Sequence, residues 1–162
     1  MWKPLLLVSL LLPVAALPMA WRVAREPGDG PGGRACAVIS LGGELRARLA
    51  EPEAGGPGEP EGGSPGEPED GRTAAWAVRV GVGNQPGSLR YLRIGTRIFQ
   101  TDRARFEGAE AAEIVARLKR PGVFVLEWAA RPDGAKRGGL YETGNFAERA
   151  QACETWIAGR RI

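Results

Sequence analysis

Ala35-Cys36-Ala37-Val38-Ile39-Ser40-Leu41-Gly42-Gly43-Glu44-Leu45-Arg46-Ala47-Arg48-Leu49 is the stretch on which the reading of the fold turns. Residues 35–41 are apolar and partly β-branched, which suits a buried strand. Gly42-Gly43 is a two-residue hairpin signal. Residues 44–49 then set Glu44, Arg46 and Arg48 against Leu45, Ala47 and Leu49, the alternation of a half-buried strand. A helical turn is the competing reading of that last piece.

Downstream the same period recurs. Trp76, Val78, Val80 and Val82 alternate with Ala77, Arg79 and Gly81 across residues 75–82. Leu89 to Ile94 form a further strand, and Gly95-Thr96 turns the chain into Arg97-Ile98-Phe99-Gln100. At residues 109–120 the period changes. Ala111, Ile114, Val115 and Leu118 stand at helical spacing, and Pro121-Gly122 stops the helix. Val123 to Trp128 is a strand. Residues 131–144 read as a Gly-rich basic loop. Asn145 and Glu148 then read as a capping box for a last helix with the inward stripe Phe146, Ala150, Cys153 and Ile157. Strands followed by two helices give an α+β fold: an antiparallel β-meander of about five to six strands with two helices packed on one face. The spacing Gly81-x-Gly83-x-x-x-Gly87 is one residue too long for a dinucleotide fingerprint, and a strand follows it, so it reads as a hairpin loop.

Two stretches stand outside this domain, which is expected over 35–160. Residues 1–24 are an apolar head. Lys3 supplies a positive start, the run from Leu5 to Leu12 has the length of a signal-peptide core, and residues 4–21 carry no charge. Two outcomes stay open: a signal peptide cleaved after Ala16, or an uncleaved membrane anchor through residues 4–21. Cys36 lies too far from the apolar run for a lipoprotein. The other stretch is the Pro/Gly/Glu-rich tract 51–71, in which Gly-Gly-Pro-Gly-Glu-Pro-Glu is written twice, the second time with an added serine. It has no large side chain to bury and reads as a disordered acidic loop inside the domain. Its sharper reading is a tether that folds over a basic face of the same domain.

Charge is divided along the chain. Residues 51–70 hold Glu51, Glu53, Glu59, Glu61, Glu67, Glu69 and Asp70 and no base, while arginine is in excess after residue 72. Of the 22 bases only Lys3, Lys119 and Lys136 are lysine. That arginine-rich, Gly- and Ala-rich usage suggests a G+C-rich bacterial genome. There is no histidine, which removes Ser-His-Asp and Cys-His catalysis and most zinc sites. No cofactor and no metal are expected. Cys36 on a strand and Cys153 on the inner face of the last helix are most simply a disulfide in an exported protein; two buried free thiols are the alternative.

Three sets of residues are candidates for function. Lys136, Arg137, Gly138, Gly139, Tyr141 and Asn145 combine two cations and flexible glycines with a helix N-terminus, where unpaired N–H groups favour an anion. Glu127, a carboxylate in an apolar strand, could pair with Glu142 or Asp102 in a hydrolase. Trp76, Trp128, Tyr91 and Tyr141 could line a saccharide or peptide surface, although the tryptophans fall on inward faces. The leading expectation is a non-catalytic extracytoplasmic binding module. Its partner is an anionic ligand, an envelope polymer or a protein, and not nucleic acid. The alternatives are an envelope hydrolase using paired carboxylates and a membrane-tethered accessory subunit.

Overall fold

Chain order is β1 (Leu17–Pro18), β2 (Trp21–Pro27), β3 (Arg34–Ser40), β4 (Leu45–Ala50), β5 (Ala75–Val80), β6 (Leu89–Ile94), β7 (Arg97–Phe99), β8 (Arg105–Phe106), α1 (Gly108–Leu118), β9 (Val123–Ala129), β10 (Lys136–Glu142) and α2 (Phe146–Ala158). The computed structural model describes residues 16–30, 32–51, 73–80, 89–100, 105–129 and 135–159. The acidic tract and the Gly81–Gly87 spacing therefore lie outside the described residues, apart from Glu51.

The hairpin at 35–49 forms as its alternation demands. Leu45, Ala47 and Leu49 are buried and face the core. The connection is longer than a two-residue turn, because pairing stops at Ile39↔Arg46. Four residues, Leu41–Glu44, bridge β3 and β4. Ser40 closes the bridge: its carbonyl accepts from Gly43 N–H at 2.8 Å and its Oγ accepts from Leu45 N–H at 3.1 Å.

The architecture is α+β, with two helices and two five-stranded, mainly antiparallel sheets. The first sheet has the order β2-β3-β4-β5-β8 and is antiparallel throughout. Its first four strands are a true meander. The second has the order β1-β10-β9-β6-β7, with β1 joining β10 in parallel. The single meander expected from the sequence is thus divided between two sheets. Strand period alone does not say which strands pair, so the division was not readable.

α2 packs on β2, β3 and β4, and α1 packs on β5 and β6. The inward stripes are those that the helical spacing marks: Ala111, Ile114, Val115 and Leu118 on α1, and Phe146, Ala150, Cys153 and Ile157 on α2. With Val38, Leu45 and Val78 of the first sheet and Leu92, Phe124 and Leu126 of the second they form one core. Cys36 and Cys153 are joined by a disulfide across the β3–α2 contact, with Cα atoms 5.4 Å apart and a sequence separation of 117. Lys119 Nζ donates to Glu154 Oε1 at 2.6 Å and ties the end of α1 to α2.

Two boundaries shift. The domain does not begin near residue 35, nor does a separate apolar head run to residue 24. Leu17–Pro18 and Trp21–Pro27 are strands, and Met19 and Trp21 are buried in the core. Trp21 packs edge-on against Phe146, with ring centroids 4.9 Å apart, and its Nε1 donates to Thr143 O at 2.8 Å. A membrane segment through residues 4–21 would have to withdraw these groups from the core. Cleavage after Ala16 would leave Leu17, the first residue of β1, at the start of the chain. Among the described residues no helix is long and apolar enough to cross a membrane. The second shift concerns the stretch read as a loop at 131–144: Lys136–Glu142 is β10, paired with β9 along its whole length. Its charged ends and adjacent glycines are poor strand formers, and pairing with the apolar β9 overrides that preference.

Candidate anion-binding face

The stretch 136–145 is built differently from a ligand-facing loop. Gly138 (φ +120°) and Gly144 (φ +53°) do permit close approach, but of the protein's own backbone. A Cβ on Gly138 would collide with Leu126 O of β9, and one on Gly144 with Met19 O. Asn145 makes no capping bond to α2, so there is no capping box with Glu148. Its Oδ1 instead accepts from Trp21 N–H at 3.3 Å. The Tyr141 ring lies against the core, 5.7 Å from Phe124, and burial followed by the charge of Glu44 pushes its hydroxyl above the usual tyrosine range. Gly139 pairs with Leu126 within the sheet. The side chains of Lys136 and Arg137 lie outside the described residues. Glycine, asparagine and tyrosine here thus serve the junction of β2, β10 and α2.

Glu127 is buried at 9% exposure on the outer face of the second sheet. Glu142 shares that face but sits four register positions along the neighbouring strand. That is roughly 13 Å of strand, wider than the ~5–9.5 Å carboxyl separations of glycosidases. Asp102 lies outside the described residues. Trp76 packs against the core from β5, Tyr91 stands opposite Glu127, and the side chain of Trp128 is not described. Among the described residues no group of three cysteine, aspartate or glutamate side chains could hold a metal ion.

The concentration of charge lies elsewhere, on the outer face of the first sheet. Register places Arg22, Ile39, Arg46, Arg79 and Arg105 in one row across all five strands. Directly paired residues share a face, and this face is the one turned away from both helices. Arg48 stands two residues further along β4 on the same face, opposite Ala37 and Ala77. Arg46, Arg48, Ala77, Arg79 and Arg105, with Asp29 at the rim, line a cleft of about 430 Å³.

Two acids hold part of this array in place. Arg46 Nη2 donates to Glu26, and Arg48 forks onto Asp29 with Nη1–Oδ2 at 2.7 Å and Nη2–Oδ1 at 3.0 Å. Both arginines start on β4 and reach carboxylates on or just beyond β2, so they must cross β3. The outward residues of β3 under that crossing are Ala35 and Ala37, both fully buried. Small side chains there let the guanidinium stems lie flat and roof the strand. The hydrogen bond from Arg48 holds the Asp29 carboxyl below its usual range, and the same bond raises Arg48. Arg105 also pairs with Glu107. The four arginines of the cleft lining thus meet three acids, Asp29, Glu26 and Glu107, which leaves a modest positive excess at the recess.

The fold and this face together define a class: a small disulfide-closed α+β domain with an arginine-lined sheet surface. No protein-family model, no curated protein and no solved structure matches the chain.

Proposed function

We propose that the protein is an exported interaction module, not an enzyme, and that it holds an anionic ligand or envelope polymer against the outer face of its first sheet. The observation that carries this reading is the arginine row. Forked guanidinium donors match carboxylate and phosphate geometry, and their positions on paired strands give them fixed spacing. Export is supported by the disulfide, which persists in oxidising compartments, and by an apolar head that meets the domain at Leu17.

The test uses the oxidised protein purified from the exported fraction, passed over an anionic and a neutral matrix in steps of rising salt. Retention on the anionic matrix alone is expected. It should be lost at high salt, because exposed charges are screened beyond about 8 Å at physiological ionic strength. Arg79→Ser with Arg105→Ser should elute earlier while keeping the far-UV spectrum of the parent. Passage through the anionic matrix without retention at low salt would overturn the reading, and so would a pool found entirely in the cytoplasm with its cysteines reduced.

A further inference from the structure

We infer that the ligand of this face is a linear carboxylate-bearing polysaccharide lying across the strands, along the arginine row, and not a small anion seated in the cleft. The inference rests on the proposed anion-binding reading and names the ligand class and its direction.

The direction follows from register. Arg46, Arg79 and Arg105 are direct cross-strand neighbours on three successive strands. Neighbouring strands are about 4.8 Å apart, so the row offers one cation per strand spacing, perpendicular to the strands. Arg22 continues it on β2, beyond Ile39. From Arg22 to Arg105 the row spans four spacings, roughly 19 Å. A single small anion can engage two of these groups. A chain with one negative group per repeat unit can reach all four positions, sharing Arg46 and Arg105 with Glu26 and Glu107, and each further contact forms at the raised effective concentration set by the first.

The chemical class follows from what already sits on the face. The carboxylates of Glu26 and Asp29 occupy guanidinium groups at its β2 side. Asp29 takes Arg48 in the two-bond fork, so the array accommodates planar carboxylates on its own residues. Between the cations the exposed apolar surface is that of half-buried Ala77, which lines the cleft, while Ile39, at the gap in the row, is 8% exposed. A sugar ring presents C–H groups to such a floor, whereas a polyphosphate chain is polar throughout. A polyuronate has both features, a carboxylate on each unit and an apolar ring face between them.

The experiment titrates the oxidised full chain with oligogalacturonates of defined length, dimer to octamer, and with polyphosphate chains of matched charge. The hexamer should bind at least about a hundredfold more tightly than the dimer. Arg22→Ala and Arg105→Ala, at opposite ends of the row, should each weaken the hexamer and leave the dimer nearly unchanged. Each should also lower the slope of log affinity against log salt by about one. Arg93→Ala, on the exposed face of the other sheet, should change neither, and retained circular dichroism and disulfide content would show that the variants fold. Equal affinity for dimer and hexamer would overturn the inference and leave the anion-binding reading standing, with a small-anion site in its place. Tighter binding of polyphosphate than of oligogalacturonate would overturn the carboxylate assignment. Absence of binding to either series, together with no retention on an anionic matrix, would remove both readings.

Discussion

Thr143 and Trp21 show how few residues close the junction between the two sheets. Thr143 is 3% exposed; its N–H donates to Gly122 O at 2.9 Å, and its Oγ1 accepts from Gly122 N–H at 3.1 Å. Its carbonyl takes the indole N–H of Trp21. Trp21→Phe keeps an aromatic ring against Phe146 and removes the shorter of two donors to that carbonyl, which still accepts from Phe146 N–H at 3.2 Å. We expect a loss of about 0.5–1.5 kcal/mol, and about 3–5 kcal/mol for Trp21→Ala, where the ring is also removed. Urea midpoints would check the order; Phe equal to wild type would show that the hydrogen bond contributes nothing. Asp29 gives a pH signature. Its carboxyl is held below the usual range by Arg48, so the folded state binds a proton less readily than the unfolded one. The pair's stabilisation is therefore present at neutral pH and fades as pH falls through the acid range below about 4. The Asp29 side chain is 63% exposed, so the effect is small and salt-sensitive. The urea midpoints of Asp29→Asn and wild type should converge on acidification. A gap that stays constant from neutral pH into the acid range would show that the Asp29 charge is not the cause.

At the scale of elements, α2 is finished by a residue far from it in sequence. Its last turn carries no cation of its own. Arg34, at the start of β3, donates Nη1 to Trp156 O at 3.0 Å and Nη2 to Ile157 O at 2.7 Å, and pairs with Glu51 at 3.1 Å. Its guanidinium also lies 4.9 Å from the centroid of the Trp156 ring. Carbonyls at a helix C-terminus have no intrahelical donor, and a cation there also opposes the helix dipole. With the Arg34 side chain only 14% exposed, Arg34→Met should cost about 1.5–3 kcal/mol. Lysine should recover only part of that, because a single ammonium cannot fork onto two carbonyls and stack on the ring as well. Full recovery by lysine, measured by thermal melting, would show that charge alone matters. The β4–β5 pair is equally instructive. Ala50 and Ala75 are paired, so the acidic tract joins the ends of two neighbouring strands that themselves carry Arg46, Arg48 and Arg79.

At the scale of the whole molecule, the Cys36–Cys153 bond closes nearly the full length of the folded chain. A separation of 117 residues gives roughly 4–5 kcal/mol in the chain-entropy account, an upper figure because native strain and residual unfolded structure reduce it. Both sulfurs are fully buried between β3 and α2. The Cys36→Ala, Cys153→Ala double variant should therefore remain folded at low temperature but unfold at a clearly lower denaturant concentration than the oxidised parent. Identical midpoints for the two proteins would show that the bridge adds no stability.

Composition and period by themselves determined the α+β class, the inward stripes of both helices and the polar and apolar faces of β4 and β5. These are local properties, set by a repeat of 2 or 3.6 residues; the two cysteines had one way to pair, and the tertiary structure decided between that bridge and two buried thiols. The arginine row of the proposed anion-binding face did not follow. Lys136, Arg137 and Asn145 stood out because they are close in sequence, yet the fold makes their stretch an internal strand and a junction. Arg22, Arg46, Arg79 and Arg105 lie on four strands and are spread over 84 positions. Each is an ordinary solvent-face arginine when read alone. Only register, which depends on how strands from distant parts of the chain meet over a shared core, brings them into one row.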